Sequence, residues 1–523
     1  MPAGRLAVVA GFLFACALAH AQVQPVPAAP RFDIERFVVE GNTLLPQEAV
    51  ERILAPYAGK SRDFGSVQQA LEALQEAYLD EGYAAVRVLI PEQELRGGEV
   101  RLQVIEARLR NVRVERNRFF DEANIRRSMP SLAPGESPNT SRIGRNAQLA
   151  NENPARQVSV LLESTPEPAR VDATMRVTDH DPSRVTVFAD NTGNSQTGQL
   201  RAGLGYQNAN VGNLDQVFTL QVITSPTQAE DVVIAGVGYR IPVYEHNAAF
   251  DFFAGYSDVD SGTIQDLFTV SGSGVIAGAR FTQILPRIRT FEHKLAFGLD
   301  YRRFEQNVAF VGTTTTLVPD IAITPVSVTY TARQSRVGSD LTGYIGLARN
   351  IPGAKDGDQE DFTAQRLGAE AKYTILRFGA SYAREWGGWL TRLLFTAQLT
   401  DDLLIPGEQF GMGGADSVRG FQEREAANDR GGRFTAELYA PDFGERIAAG
   451  WRMRPLVFLD AARGRDNEPV RSVDSSLGSV GIGLRVTRGR SLFARVDWGY
   501  VVDGTVNRAD GNDRFHLALG YAF

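Results

Sequence analysis

Between Phe410 and Phe421 the chain reads Phe-Gly-Met-Gly-Gly-Ala-Asp-Ser-Val-Arg-Gly-Phe, a glycine-rich turn that delivers a single arginine, Arg419, between Val418 and Gly420-Phe421. Glycine-rich loops can cradle phosphates through backbone N–H groups, but that chemistry needs a Gly-Lys-Ser/Thr sequence opening a helix. None follows here, and the downstream residues alternate like a strand. The remaining reactive residues form no catalytic set. Beyond the first 21 residues the histidines are His180, His246, His293 and His516, scattered and without metal-ligand spacing. There is no Gly-x-Ser-x-Gly and no His-Glu-x-x-His, so neither a nucleophile elbow nor a zinc-protease helix is present. Paired acids such as Asp401-Asp402 read as solvated strand ends. The expectation is a protein with no catalytic residues, no metal and no cofactor.

The elements that carry these residues follow from the chain in order. Met1 to Ala21 reads as a secretory signal: Arg5 precedes an apolar run from Leu6 to Leu18, and Ala19-His20-Ala21 is a small-x-small cleavage site. The run is shorter than the ~20 apolar residues of a membrane-spanning helix. The only cysteine, Cys16, lies inside it, and Leu13-Phe14-Ala15-Cys16 matches a lipoprotein box poorly at Phe14. Cleavage at Ala21 leaves no thiol, which excludes disulfides, zinc-thiolate sites and cysteine nucleophiles. Lys and Arg number 55 against 62 Asp and Glu, a net charge of −7 with no basic block. That balance argues against nucleic acid as a partner.

Residues 22–31 hold three prolines and read as a linker. Two copies of one α+β unit follow, at 32–107 and 108–180. In the first, a strand at Phe37 to Glu40 ends in Gly41-Asn42-Thr43, and Pro46 starts a helix running to about Ala55. A second helix spans about Ser66 to Glu81, with Val67, Ala70, Leu71, Leu74 and Tyr78 at helical spacing. Strands at Ala84 to Ile90 and Glu99 to Glu106 close the unit. The order recurs with a strand at Val112 to Glu115 and helices at Asp121 to Ser128 and Thr140 to Asn151. Strands at Val158 to Glu163 and Val171 to Thr178 complete the second copy.

From 183 to 523 the chain consists of short alternating segments broken by Gly, Asn and Asp. Segments of ~10 residues, apolar on one face and polar on the other, are the signature of a transmembrane β-barrel. Gln216 to Thr224, Val232 to Tyr239 and Ala248 to Gly255 are clear examples, and the count reaches about sixteen antiparallel strands. At the C-terminus Phe515, Leu517, Leu519, Tyr521 and Phe523 share one face. Alternation sorts the last strands into a lipid side (Phe434, Ala436, Leu438, Val457, Leu459, Ile482, Leu484, Leu492, Val496, Trp498) and a lumen side (Glu437, Asp460, Arg485, Arg495, Asp497). A charge facing lipid at mid-bilayer costs up to ~2–4 kcal/mol, and this phase avoids it.

Val418-Arg419-Gly420-Phe421 resembles the Val-Arg-Gly-Phe signature of outer-membrane barrels that carry POTRA domains. That superfamily includes the two-partner secretion transporters of the haemolysin secretion/activation type (ShlB/FhaC/HecB) and the barrel-assembly proteins. The resemblance implies that the motif sits on a long loop folded back into the barrel, with Arg419 paired to an acid on the wall. Phe458-Leu459-Asp460 resembles the second signature, aromatic-x-Asp-x-Gly, which makes Asp460 the partner. Ala462 stands where glycine is usual, which puts the local backbone in question. The first copy resembles a ShlB-type POTRA domain at Val39 to Thr43 and Glu81-Gly82-Tyr83. The second departs from it at Arg116-Asn117-Arg118-Phe119 and carries a proline-rich hairpin at Pro166 to Pro168. The ending Tyr521-Ala522-Phe523 resembles the recognition signal of outer-membrane barrels, so Tyr521 and Phe523 would be read by the barrel-assembly machinery.

POTRA domains in the periplasm and an even strand count place both barrel ends there. The last strand then runs inward. Counting back through Leu492 to Val501, Leu477 to Thr487, Pro455 to Ala462 and Arg433 to Ala440, the loop of Arg419 begins on the outer side. The implied function is export of an unfolded client protein to the cell surface. The client adds a strand to a POTRA sheet edge, passes through the barrel and folds outside. The alternative is a factor that inserts other barrels into the outer membrane, and a third class is a passive porin or receptor. Ahead of the first strand, Gln22 to Phe32 leaves little room for the plug helix that some such transporters carry.

Overall fold

A computed structural model describes residues 30–194, 197–229, 232–258, 262–264, 268–270, 273–305, 320–468 and 473–523. The signal sequence at 1–21 and all but the last two residues of the linker lie outside the described residues. The chain divides into two compact units. Among the described residues, one holds those up to Asp80 together with Val86–Glu106; the other holds Glu81–Ala85 and those from Ala107 to Phe523.

In the first unit a three-stranded sheet runs in the order Arg36–Glu40, Glu99–Glu106, Val86–Leu89, with the first pair parallel and the second antiparallel. Helix Phe64–Asp80 buries Val67, Ala70, Leu74 and Tyr78, one stripe at helical spacing. The shorter helix Gln47–Leu54 follows Pro46 at its N-cap, φ −59°. The Tyr78 hydroxyl donates to Asn42 Oδ1 at 2.6 Å, so its buried polar tip is satisfied. Gly41 has φ +83°, and a Cβ there would lie 2.4 Å from the Val104 carbonyl oxygen, so the turn before Asn42 requires glycine. A short pair, Phe32–Ile34 with Gly59–Arg62, escaped the alternation pattern because each strand is only three or four residues long.

In the second unit the other α+β repeat forms a sheet ordered Arg108–Glu115, Arg170–Asp179, Arg156–Ser164. Helices Glu122–Arg127 and Thr140–Ala150 are capped by Asp121 and Asn139, whose side chains accept from Asn124 N at 2.7 Å and Arg142 N at 3.0 Å. The apolar core of this repeat continues without interruption into the barrel: Phe120, Ile125, Leu149 and Met175 cluster with Ala209, Val217, Tyr244 and Ile284.

The barrel is closed by sixteen antiparallel strands, each hydrogen-bonded to its neighbour in sequence. One of them is broken at Thr324 into Ile321–Ile323 and Pro325–Arg336, where proline lacks the N–H that would continue the ladder. The last strand, Asp513–Ala522, pairs with the first, Ser183–Asp190, from Ala518↔Asp190 to Ala522↔Thr186. Asn191 lengthens this seam, its Oδ1 accepting from Leu517 N at 2.8 Å and its Nδ2 donating to Phe515 O at 2.8 Å. Val187, Phe252, Leu299, Ile345, Ile482 and Leu519 are exposed on the outside. Several strands outrun the alternation that identifies them: Trp451–Arg465 extends past both ends of Pro455 to Ala462. The added ends carry Arg452, Arg463 and Arg465, polar residues beyond the ~9–11 residues that cross the bilayer.

Candidate functional site: a loop docked in the barrel lumen

The strands Trp389–Leu399 and Arg430–Tyr439 are neighbours in the wall, yet thirty residues separate them in sequence. Those residues fold into the lumen as a hairpin, in which Phe410–Met412 pairs antiparallel with Ala426–Asn428. Beyond the pair the chain turns tightly. Gly413 and Gly414 hold φ of +100° and +112°, a region where side chains are strained. Gly414 N donates to Val418 O at 3.1 Å, and Gly413 N to Ser417 Oγ at 3.2 Å. This turn projects Arg419 from its tip.

Arg419 is 2 % exposed and Asp460 1 %. Asp460, on the Trp451–Arg465 strand, accepts three hydrogen bonds from it: Nε at 2.7 Å, Nη2 at 2.8 Å and the backbone N–H at 3.1 Å. Nη1 donates to Glu437 on the adjacent strand at 2.8 Å and stands 3.7 Å from Asp497. The guanidinium lies 3.5 Å from the Phe458 ring centroid, a cation–π contact in a desolvated setting.

The acids are compensated in turn. Asp497 accepts from Arg485 Nη1 at 2.7 Å and Arg495 Nε at 2.7 Å, and Glu437 accepts from the Tyr439 hydroxyl at 2.9 Å. Arg495 also reaches the loop itself, donating to Ala415 O and to Asp416. Glu437, Asp460, Asp497, Arg419, Arg485 and Arg495 thus form one network of three carboxylates and three guanidiniums. Removing one member of such a buried set costs about 3–5 kcal/mol, against ~0–1 for an exposed pair.

The flanking residues hold the tip by packing. Val418 and Phe421 are fully buried with Phe410, Met412, Leu477 and Val501. Ala462, where glycine was the expected residue, belongs to this cluster. Its backbone stays in regular strand pairing with Arg433 and Leu477, so the methyl group adds apolar contact and leaves the strand undistorted. Gly420, φ +95°, passes close over Gly499: a Cβ on Gly499 would lie 2.6 Å from Gly420 N.

Two residues of the docking surface are absent from the motif-based reading. His516 is buried, and its Nε2 accepts the Gly420 N–H at 3.0 Å. Its signal was available, since it lies on the lumen face and pairs in register with Asp497. Glu408, at the root of the hairpin and 3 % exposed, accepts from Arg302 Nη1 at 2.6 Å and Arg377 Nη2 at 3.2 Å. Nothing in the sequence pairs these three, because the two arginines come from separate wall strands and Glu408 from the inserted loop. At the far end Asp429 closes the hairpin, accepting from Arg366 Nη1 at 2.6 Å and from Leu404 N at 3.1 Å. At the C-terminus Tyr521 and Phe523 face outward and meet edge to face, centroids 4.9 Å apart.

A second buried node joins the 108–180 repeat to the barrel rim. Arg156, 1 % exposed, contacts Asp215 at 2.8 Å, donates to Asn124 Oδ1 at 2.7 Å and to the Tyr244 hydroxyl at 3.1 Å. Tyr244 donates to Asp215 Oδ2 at 2.9 Å, and burial together with the Asp215 charge holds its phenol proton well above the usual range.

The family described as haemolysin secretion/activation protein ShlB/FhaC/HecB matches residues 172–486, and the ShlB-type POTRA domain matches residues 32–107. The chain is 25 % identical over 427 residues to the outer membrane transporter CdiB of Escherichia coli strain 536, covering 78 % of this chain and 69 % of that protein. It is 20 % identical over 500 residues to the heme/hemopexin transporter protein HuxB of Haemophilus influenzae, covering 90 % and 83 %. Among solved structures, CdiB from Escherichia coli superposes with a TM-score of 0.77 at 19 % identity, covering 96 % of this chain and 93 % of that one. CdiB from Acinetobacter baumannii does so at 0.71 and 15 %, covering 95 % and 91 %.

Proposed function

The chain belongs to the haemolysin secretion/activation family ShlB/FhaC/HecB, outer-membrane transporters of two-partner secretion, and we propose that it moves one unfolded partner polypeptide past the docked hairpin. The barrel lies in the outer membrane with its POTRA region in the periplasm. The observation that carries the proposal is the burial of Arg419 between Asp460 and Glu437. A charge network of this quality fills the lumen with an ordered element, whereas a passive pore needs only a wet wall. The hairpin is therefore a gate with a defined docked state. Export requires that it shift or leave a passage alongside.

The partner enters from the POTRA region. In the 32–107 segment the sheet edges are the Arg36–Glu40 and Val86–Leu89 strands, and Val86–Leu89 is four residues long beside the eight of Glu99–Glu106. Beyond that short strand the Arg101 N–H and carbonyl are taken by the Gln93 side chain, at 2.7 and 2.8 Å, so an added strand would pair with an outer edge of the sheet. The identity of the partner follows from neither HuxB nor CdiB, whose own cargoes belong to those proteins. Deleting residues 32–107 should abolish secretion of the partner while the barrel still folds and resists unfolding in detergent. Secretion at the normal level would make that segment a spacer and defeat the entry route.

A further inference from the structure

A cavity of about 610 Å³ lies beside the hairpin inside the barrel. Every charged wall residue lining it is an arginine: Arg280, Arg302, Arg377 and Arg433, from four different strands. Three of the four charged loop residues lining it are acids, Glu408, Asp416 and Glu423. The asymmetry extends along the whole insertion, where residues 401–429 hold seven acids against Arg419 and Arg424. An acidic segment of this chain therefore lies against a basic wall.

The contact is a built carboxylate site. One Glu408 oxygen meets Arg302 and the other meets Arg377, while Gln398 Nε2 donates to the Glu408 carbonyl at 3.0 Å and braces Arg377 Nε through its own oxygen at 2.8 Å. Arg302 is further held by Asp300 at 2.8 Å. Arg280 lies over the Phe253 ring at 5.1 Å, and neither it nor Arg433 has an ion-pair partner among the described residues. Guanidinium groups fixed in this way match carboxylate geometry without reorganising.

We propose that this arginine wall receives the carboxylates of the exported polypeptide, and that Glu408 is the internal carboxylate that fills it at rest. The proposal rests on the export reading and names the chemistry of the passing chain: an extended, acidic segment. Four arginines on four strands offer several equivalent positions. A chain bound at many weak positions enters readily and still leaves. The hairpin then acts as an intramolecular competitor for the track it covers.

The test uses the full chain in planar bilayers, with poly-L-glutamate and poly-L-lysine of equal length added to the periplasmic side. Glu408→Gln removes the negative charge that satisfies Arg302 and Arg377, so poly-L-glutamate should block the current at a concentration about tenfold lower than for the wild type, the worth of one charge-assisted hydrogen bond. Poly-L-lysine should not gain. Arg280→Gln with Arg433→Gln leaves the Glu408 latch intact and removes two arginines that have no ion-pair partner among the described residues, so folding is preserved; block by poly-L-glutamate should weaken by a similar factor. Equal block by the two peptides in Glu408→Gln, or unchanged block in the double arginine variant, overturns the proposal. Secretion of the partner is measured separately: normal secretion without glutamate preference removes the arginine track alone, whereas absent secretion by the wild type removes the export reading.

Discussion

Asp460 binds Arg419 at two levels, taking the backbone N–H with the same oxygen that accepts Nε, while its other oxygen takes Nη2. The carboxylate thereby fixes both where the loop tip lies and which way its guanidinium points. Glu437 takes only one hydrogen bond from the arginine and keeps Tyr439 when it is lost.

The two acids should therefore differ. Asp460→Asn should free the loop more than Glu437→Gln, read as protease cleavage within residues 413–425 in the folded barrel. Arg419→Ala with Asp460→Ala should be far less than additive, since both break one contact. The exchange Arg419→Asp with Asp460→Arg should fail, because the new Asp would sit beside Glu437 and Asp497. Additive single effects would mean that Arg419 and Asp460 act apart.

Docking can also be blocked without touching a charge. Gly499→Ala places a methyl group where Gly420 N lies, 2.6 Å away, and the main chain cannot yield there cheaply. Single-channel conductance should rise in Gly499→Ala and in Arg419→Ala alike. Wild-type conductance in Gly499→Ala would show that the tip tolerates a displaced backbone.

Arg156→Ala should loosen the 108–180 repeat from the barrel rim by leaving Asp215 buried without its cation, a loss of about 3–5 kcal/mol. Hydrogen exchange across Glu122–Arg127 and the Ala209–Gln216 turn should speed up, with the rest of the barrel unchanged. Unaltered exchange in both segments would show that the continuous apolar core alone holds them.

Deleting Phe523 should reduce assembly in the outer membrane while export to the periplasm continues. The residue adds one hydrogen bond to the seam, from its N–H to Val185 O at 2.9 Å, and presents an exposed ring beside Tyr521. A normal yield of heat-modifiable barrel in the deletion strain would assign the ending no such role.

Much of this architecture was legible in the sequence because its physics is local. Period-two alternation located the barrel strands, and helical spacing in Val67, Ala70, Leu74 and Tyr78 located the long helix. The lumen phase of Glu437, Asp460 and Asp497 was readable for the same reason. Relations across the barrel were not. Glu408 meets Arg302 and Arg377 only when the wall closes, and His516 meets Gly420 only when the loop re-enters. The sharing of Arg419 between Asp460 and Glu437 also depends on two strands coming side by side, Thr435 opposite Asp460. The seamless core between the second repeat and the barrel rim was hidden too, because Ala209, Val217 and Ile284 read only as alternating strand residues.

The most direct measurement is the amount of partner polypeptide released to the medium by cells carrying Arg419→Ala, with the barrel confirmed as assembled by its heat-modifiable mobility. With Asp460 left buried without its cation, the docked population should fall more than about a hundredfold, and secretion should drop by about tenfold or more. Arg419→Lys, which keeps the charge and loses the fork, should recover only part of it. Wild-type secretion by an assembled Arg419→Ala barrel would contradict the account, because the buried network would then serve the fold and not the passage of a chain.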